Sequence, residues 1–283
     1  MHGKAFWQGI IDAEFAVPDG HTAAELANEL FDYIGSTDPA LRDTLGYSIF
    51  VRWVLADRFA VDDLRALLPR LQTQLTVGIG EQGTDSVFGR AFAVLWLAAI
   101  AYYDTHHQQF LTEEQTRDLM DSALTYFAAE KDLRGHVPVK GWAHSCAHTA
   151  DLIDELVQHR HLDGNDVARC LNAIASKVQA ETGHIFQCEE DERMAYAVVT
   201  ALQNERVTAG IVAAWLKHFS DWAAAHARYS YADDAALWGV YVNTKNLLRS
   251  VFVRLSIAED VTDTARVHLP AVQAALKLYT LRM

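Results

Sequence analysis

The run from Phe92 to Tyr103, FAVLWLAAIAYY, is apolar around almost the whole circumference of a helix. A helix of that kind is stable only where other elements, or lipid, surround it. The run is too short for a hydrocarbon core, which takes about 20 apolar residues. It is therefore expected to be an inner helix of a layered array, running from Thr84 or Asp85 to near His106, with the rest of the chain as its cover.

That cover is written as amphipathic helices. Residues 1–19 carry Trp7, Ile10, Ile11 and Phe15 at helical spacing and read as a short helix or a flexible or docked arm. Ala23, Leu26, Ala27, Leu30, Phe31 and Ile34 recur at three and four and stop at Gly35. Asp38-Pro39 opens the next helix, with an acid at the N-cap and proline at the first helical position; it runs towards Arg58. Asp62–Leu75 follows, with a kink or restart foreseen at Pro69. Thr112 with Gln115 is a capping box ahead of a helix to Phe127. Further helices are read from Trp142 to near His159, over Asp166–Gln179, from Cys188 or Glu189 to just before Glu205, and over Val207–His218. A short helix with a turn falls in 219–231, then a long helix over Asp233–Ile257 and a C-terminal helix restarted at Pro270.

Strand-type alternation is almost absent, and only five prolines occur. About eleven or twelve helices with short connections make antiparallel neighbours. The fold class is all-α: an irregular array of helices stacked as α/α pairs, HEAT-like or an α/α superhelix, as one domain over 1–283. A closed α/α barrel and a globular bundle are the alternatives. No strict period is visible, which excludes an ideal consensus solenoid.

Charge and cysteine usage narrow the function classes. There are 37 acidic and 24 basic residues, a formal net charge of −13. No basic block interrupts that balance, so nucleic acid is not an expected partner. The three cysteines lie far apart with no CxxC, against a disulfide scaffold or a cysteine-only metal site. The N-terminal MHGKAFWQG lacks a basic region followed by an apolar run, and no apolar run reaches transmembrane length. The expectation is a cytoplasmic protein with no membrane partner, open to a small molecule or another protein. Gly78, Gly80 and Gly83 follow no strand and precede no phosphate-holding lysine, so they are read as a turn rather than a nucleotide loop.

Candidate chemistry concentrates in Glu130–Leu156, EKDLRGHVPVKGWAHSCAHTADLIDEL. A charged turn feeds a helix on which His144 and His148 are four apart and share a face, with Asp151 three further on. Two imidazoles and a carboxylate suit zinc or another divalent ion, with His184, Glu189, Glu190 or Asp191 as a distant further ligand. The sequence requires no cofactor. The zincin pattern fails, because Ser145 stands where its glutamate would be. Cys146 is two residues from each histidine, about 200° around a helix, which argues for packing rather than a Cys–His pair. Two metal-free readings stand beside the metal. One is a core network in which Asp132, Arg134 and Asp151 satisfy the histidines. The other is a polar pocket in which a histidine acts as base.

Other charged groups point the same way. Glu189, Glu190, Asp191 and Glu192 are more acid than a helix N-terminus needs. A carboxylate there facing the histidines, Glu190 above all, is a general-acid candidate, and paired carboxylates would suit glycoside hydrolysis. Asn243, Asn246 and Arg249 form a polar edge on an apolar helix, and Asp85 and Arg90 flank Phe88-Gly89. With Asp132, Arg134, Trp142 and Arg193 they are the ligand-binding candidates. Each alone is explained by packing; together they suggest one concave polar surface. Of the tryptophans at 53, 96, 142, 215, 222 and 238, at least four are expected to be largely buried, as interhelical packing.

These motifs carry a resemblance. LRD at 41–43, DSVFGRAF at 85–92, the whole of 130–156, EDERMAYA at 190–197 and NTKNLLRSVF at 243–252 occur in the order seen in DUF2785, a bacterial family of unknown function. The chain resembles that family from Leu41 to Phe252. The resemblance implies an all-helical protein and supplies no activity or cofactor. The family's recurrent residues match at Asp85, Arg90, Asp132, Arg134, Gly141, Trp142, His144, His148, Asp151, Glu190, Arg193, Asn246 and Arg249.

Two functions fit. The first is a binding or scaffolding helical array with a polar pocket. The second is a hydrolase-type enzyme in which His144 or His148 works with a nearby carboxylate, with or without a metal.

Overall fold

A computed structural model describes residues 2–227 and 234–280. The chain is an all-helical array in which helix-on-helix packing repeats, as in α/α-solenoid-like folds. Its residues gather into two compact units, Met1–Leu152 and Ile153–Met283. Residues 228–231 of the helix read over 219–231 lie outside the described residues.

The first unit is built around α5 (Ser86–His106). Every residue from Val87 to Ala101 on it is buried. Contrary to the expectation about apolar length, this 21-residue helix is long and apolar enough to cross a membrane; 89% of its most apolar window is buried in the protein, as in a core helix. The difference arises because Ser86–Ala91 continue the helix ahead of the apolar run. Phe50 stacks on Trp96 with ring centroids 3.7 Å apart.

On α5 pack α4 (Val61–Gln74), α3 (Ser48–Leu55) and a π-helical segment Ala40–Tyr47 that runs into α3; α1 (Lys4–Asp12) and α2 (Ala23–Phe31) pack on the π-helical segment, and α6 (Glu113–Ala129) on α4. The Asp38 carboxylate accepts from the Ala40 N–H at 3.0 Å, the capping role read from Asp38-Pro39. The wide turn of the π-helix needs a glycine at 46, where a Cβ would stand 2.8 Å from the Leu41 carbonyl oxygen. α4 continues through Pro69 without a restart. The N-terminal arm is docked: Trp7 and Ile10 are buried, and the Phe15 carbonyl accepts from Trp53 Nε1 at 2.7 Å.

In the second unit α11 (Ala235–Ile257) packs on α8 (Gly164–Val178), α9 (Glu190–Gln203), α12 (Asp263–Arg266) and α13 (Leu269–Thr280). α10 (Ala209–Ala225) packs on α8 and α13. Two expected helices merge in α10, because no glycine or proline interrupts Lys217–Trp222. The restart at Pro270 is found one residue inside α13. Trp53, Trp96 and Trp215 are fully buried and Trp222 is largely buried, as expected for four of the six, whereas Trp142 and Trp238 are 39% and 43% exposed. Trp142 is not on a helix at all.

Candidate functional site

The stretch between α6 and α7 (Ser145–Leu156) is a β-hairpin where the sequence suggested a turn and the start of a helix. β1 (His136–Val137) pairs antiparallel with β2 (Gly141–Trp142), His136 opposite Trp142. Lys140 N–H donates to the Val137 carbonyl at 3.1 Å, closing a turn with Pro138 and Val139 at its centre. Val139 has φ 69°, the arrangement of a type II turn with valine where glycine is usual. Gly141 is needed at φ 77°, and a Cβ there would stand 2.8 Å from Pro39 Cβ. Beyond the ladder, Ala143 N–H donates to Gly135 O and His144 N–H to Arg134 O. His144 is itself left-handed, φ 52°, so the helix starts at Ser145 and not at Trp142.

Arg42 holds this hairpin in place. Its side chain is fully buried, and Nη2 donates to the carbonyls of Lys140 (2.7 Å) and Trp142 (3.1 Å). Nη1 donates to the Ser36 carbonyl. The guanidinium lies over Phe88, 4.2 Å from the ring centroid, and near Phe92. Burial brings its pKa down to about 10, with Asp43 and Asp38 pulling the other way. At the tip, Lys140 Nζ pairs with the Asp85 carboxylate at 2.6 Å.

Four of the sequence candidates come together behind the hairpin. Arg90 makes a two-pronged pair with Glu130 and donates to Val77 O, Gly78 O and Ser86 Oγ. Asp132 takes Arg134 Nε at 2.8 Å and Nη2 at 2.7 Å, and also accepts from Gly83 N–H. Arg134 Nη2 reaches Thr84 O at 2.7 Å, beside Asp85. Ser145 Oγ donates to Asp132 O. These bonds occupy the charged groups within the protein, the arrangement of a structural frame.

In front of the hairpin lies a depression of about 450 Å³, lined by Pro39, Ala40, Asp43, Thr44, His136, Val139, Gly141 and Trp142. Asp43 is half-buried, and its carboxylate has no hydrogen-bond donor among the described residues. Burial raises its pKa, while Arg42 and His144 lower it. The aromatic groups form a column. His136 meets Trp142 edge-on (4.9 Å), Trp142 stacks on His144 (4.3 Å), His144 meets His148 edge-on (5.7 Å), and His148 meets Phe92 (5.2 Å). His148 Nδ1 lies 3.0 Å from Ala91 O, so a backbone carbonyl, which the sequence did not suggest, is one partner of this ring.

Residues 75–253 match the family described as Protein of unknown function (DUF2785). The chain belongs to the DUF2785 family. No curated protein and no solved structure matches it. The DUF2785 match takes in the hairpin, α5 and most of α11, but begins after LRD at 41–43. Asp43 and Thr44, on the near wall of the depression, therefore lie outside it.

The remaining candidates of this DUF2785 chain sit as follows. Asp151 is half-buried on α7. In the second unit Glu190 is buried at the start of α9 and accepts from Cys188 N–H at 2.8 Å, just after the left-handed Glu189. Asp191 is half-buried, and burial raises its pKa. Arg193 and Asn246 are half-buried and Arg249 is exposed. Asn243 is buried; it accepts from Phe186 N–H at 3.0 Å and donates to His184 O at 2.9 Å, fixing that segment against α11. Donor types that divalent ions accept thus occur in each unit, the imidazoles of His144 and His148 in the first and the Cys188 thiol and Glu190 carboxylate in the second.

Sequence reasoning missed Arg42, Asp43, Thr44 and His136. The signal that would have found the first two was the LRD triplet, which has no meaning by itself. Glu130 was read as part of a charged turn and not as the partner of Arg90.

Proposed function

We propose that this DUF2785 protein is a binding module and that the depression beside the 136–142 hairpin takes a small polar molecule. The observation that carries the reading is Asp43, a half-buried carboxylate with no hydrogen-bond donor among the described residues, on the wall of a 450 Å³ space. Burial strips part of the water from this carboxylate and no protein donor replaces it, so a ligand that supplies a donor there gains a partner the protein does not already provide. The frame around it supports the same reading. Arg42, the Arg90–Glu130 pair and the Asp132–Arg134 pair fix the hairpin without occupying the depression, which is how a preorganised site is built. A fragment screen by protein-observed NMR tests it. Hits are expected to shift the Trp142 indole N–H and to lose that shift in Asp43→Ala. Hits that map only to other surfaces overturn the reading.

One observation favours a second reading, a hydrolase. The Asp43 carboxylate is within electrostatic reach of His144, an acid and a candidate base in one neighbourhood without a hydrogen bond between them. Thr44 is the hydroxyl on the same wall. This reading predicts turnover of chromogenic esters or phosphates that His144→Ala abolishes, with or without added divalent metal.

A further inference from the structure

We propose that the ligand of the depression is an organic cation, a protonated amine on an apolar body, held between the Asp43 carboxylate and the Trp142 indole; this rests on the binding reading above. The charge around Asp43 sets the class. The nearest fixed cation is Arg42, but its Nη1 and Nη2 groups are given to the carbonyls of Ser36, Lys140 and Trp142 and its flat face to Phe88. It offsets Asp43 through space without bonding to it. Lys140, at the hairpin tip, is engaged by Asp85. A carboxylate kept half out of water without a donor is stabilised by a ligand that brings both positive charge and N–H groups. The Thr44 hydroxyl on the same wall adds an acceptor.

The other walls suit the body of such a ligand. Trp142 keeps 39% of its surface exposed, and indole is the aromatic group that attracts cations best. Val139 is 94% exposed at the rim, and Pro39 forms the floor beside Gly141. An anion would meet Asp43 and a chain of net charge −13, both unfavourable. A hard divalent ion asks for about six or more oxygen ligands, and this wall offers one carboxylate and one hydroxyl.

The test uses the full chain and probes that differ in charge. Tetramethylammonium, butylammonium and 2-phenylethylammonium are compared with 2-phenylethanol and 3-phenylpropanoate, by calorimetry and by the Trp142 indole N–H shift. At least one cation is expected to bind there, with the alcohol and the carboxylate at least about tenfold weaker, as for loss of a charge-assisted hydrogen bond. Asp43→Asn is expected to remove that selectivity. If the alcohol or the carboxylate binds at Trp142 as well as any cation, the cation assignment is wrong and the binding reading stands. If no cation shifts Trp142, the assignment is also wrong, and the fragment screen decides the binding reading separately. Should Asp43→Asn fold poorly, charge selectivity in the parent protein still gives the answer.

Discussion

The Arg90 guanidinium and the Glu130 carboxylate form a two-pronged ion pair, Nε to Oε2 at 2.6 Å and Nη2 to Oε1 at 3.0 Å, with both side chains out of solvent. It ties the middle of the unit, α5, to the segment that leads into the hairpin, because Glu130 Oε1 also accepts from Asp132 N–H. Removing one member leaves the other charged and buried, which costs about 3–5 kcal/mol. Arg90→Met and Glu130→Gln should each lower unfolding stability in urea by about that amount. The double variant Arg90→Met/Glu130→Gln should lose less than the two singles added together, since neither charge is then stranded. Singles that fall within about 1 kcal/mol of the parent would mean the pair is solvated in solution.

Arg42 acts at a distance that the chain order hides. Its Nη2 serves Lys140 and Trp142, 98 and 100 residues away, and no carboxylate bonds to it directly among the described residues. Hydrogen bonds from a charged donor contribute about 1.5–3 kcal/mol each. Arg42→Lys keeps the charge but loses the planar fork, so it should not restore the hairpin. The expected result for Arg42→Lys is a loss of about 2–4 kcal/mol. It should come with faster amide hydrogen exchange at Gly141, Ala143 and His144 than in α5. Unchanged protection at those amides would assign the hairpin's order to its own turn instead.

What could be read from the sequence divides along the same line. α5 was legible because an apolar run with no polar face has one solution, enclosure. The caps at Thr112 and Asp38 were legible because their chemistry is local. The hairpin was not, since its strands are two residues each and depend on Arg42 and on Gly141 meeting Pro39. Trp142 and His144 were therefore placed on a helix. His144 and His148 still stand side by side, but through a left-handed residue rather than a shared helical face. The charged candidates Asp85, Arg90, Asp132 and Arg134, read as members of a larger polar centre, lie around the hairpin and are engaged in ion pairs and hydrogen bonds there. The carboxylate that faces the depression, Asp43, was not among them, because nothing within a few residues of it announces a cavity wall.

Val139 carries a cost that can be measured. A β-branched residue with φ 69° is strained, and its side chain is 94% exposed, so no burial offsets the strain. Val139→Gly should raise stability by about 1 kcal/mol, the strain of a left-handed non-glycine residue less the added freedom of the unfolded chain. The conserved turn geometry should appear as an unchanged Val137-to-Lys140 hydrogen bond in exchange experiments. If Val139→Gly destabilises, the isopropyl group makes contacts that outweigh its backbone strain.

Asp43 gives a pH dependence whose sign is opposite to that of most carboxylates. Burial raises its pKa in the folded protein; Arg42 and His144, the charged and titratable groups acting on it, offset this only in part, and His136 lines the same wall. A folded acid with a raised pKa holds its proton more tightly than the unfolded chain does. Its favourable contribution is complete below the ordinary carboxylate pKa of about 3.9 and is lost as pH rises through the folded value. At neutral pH the ionised group is therefore a liability. Asp43→Asn should melt higher than the parent at pH 7, and the gap should close as the pH is lowered towards 3. Asp38, whose pKa is lowered chiefly by Lys4, changes in the opposite sense, losing its contribution on acidification, but it does so equally in both proteins and cancels in the difference. A saturating amine should shrink the gap at pH 7 by stabilising only the parent, whereas an anion should leave it as it was.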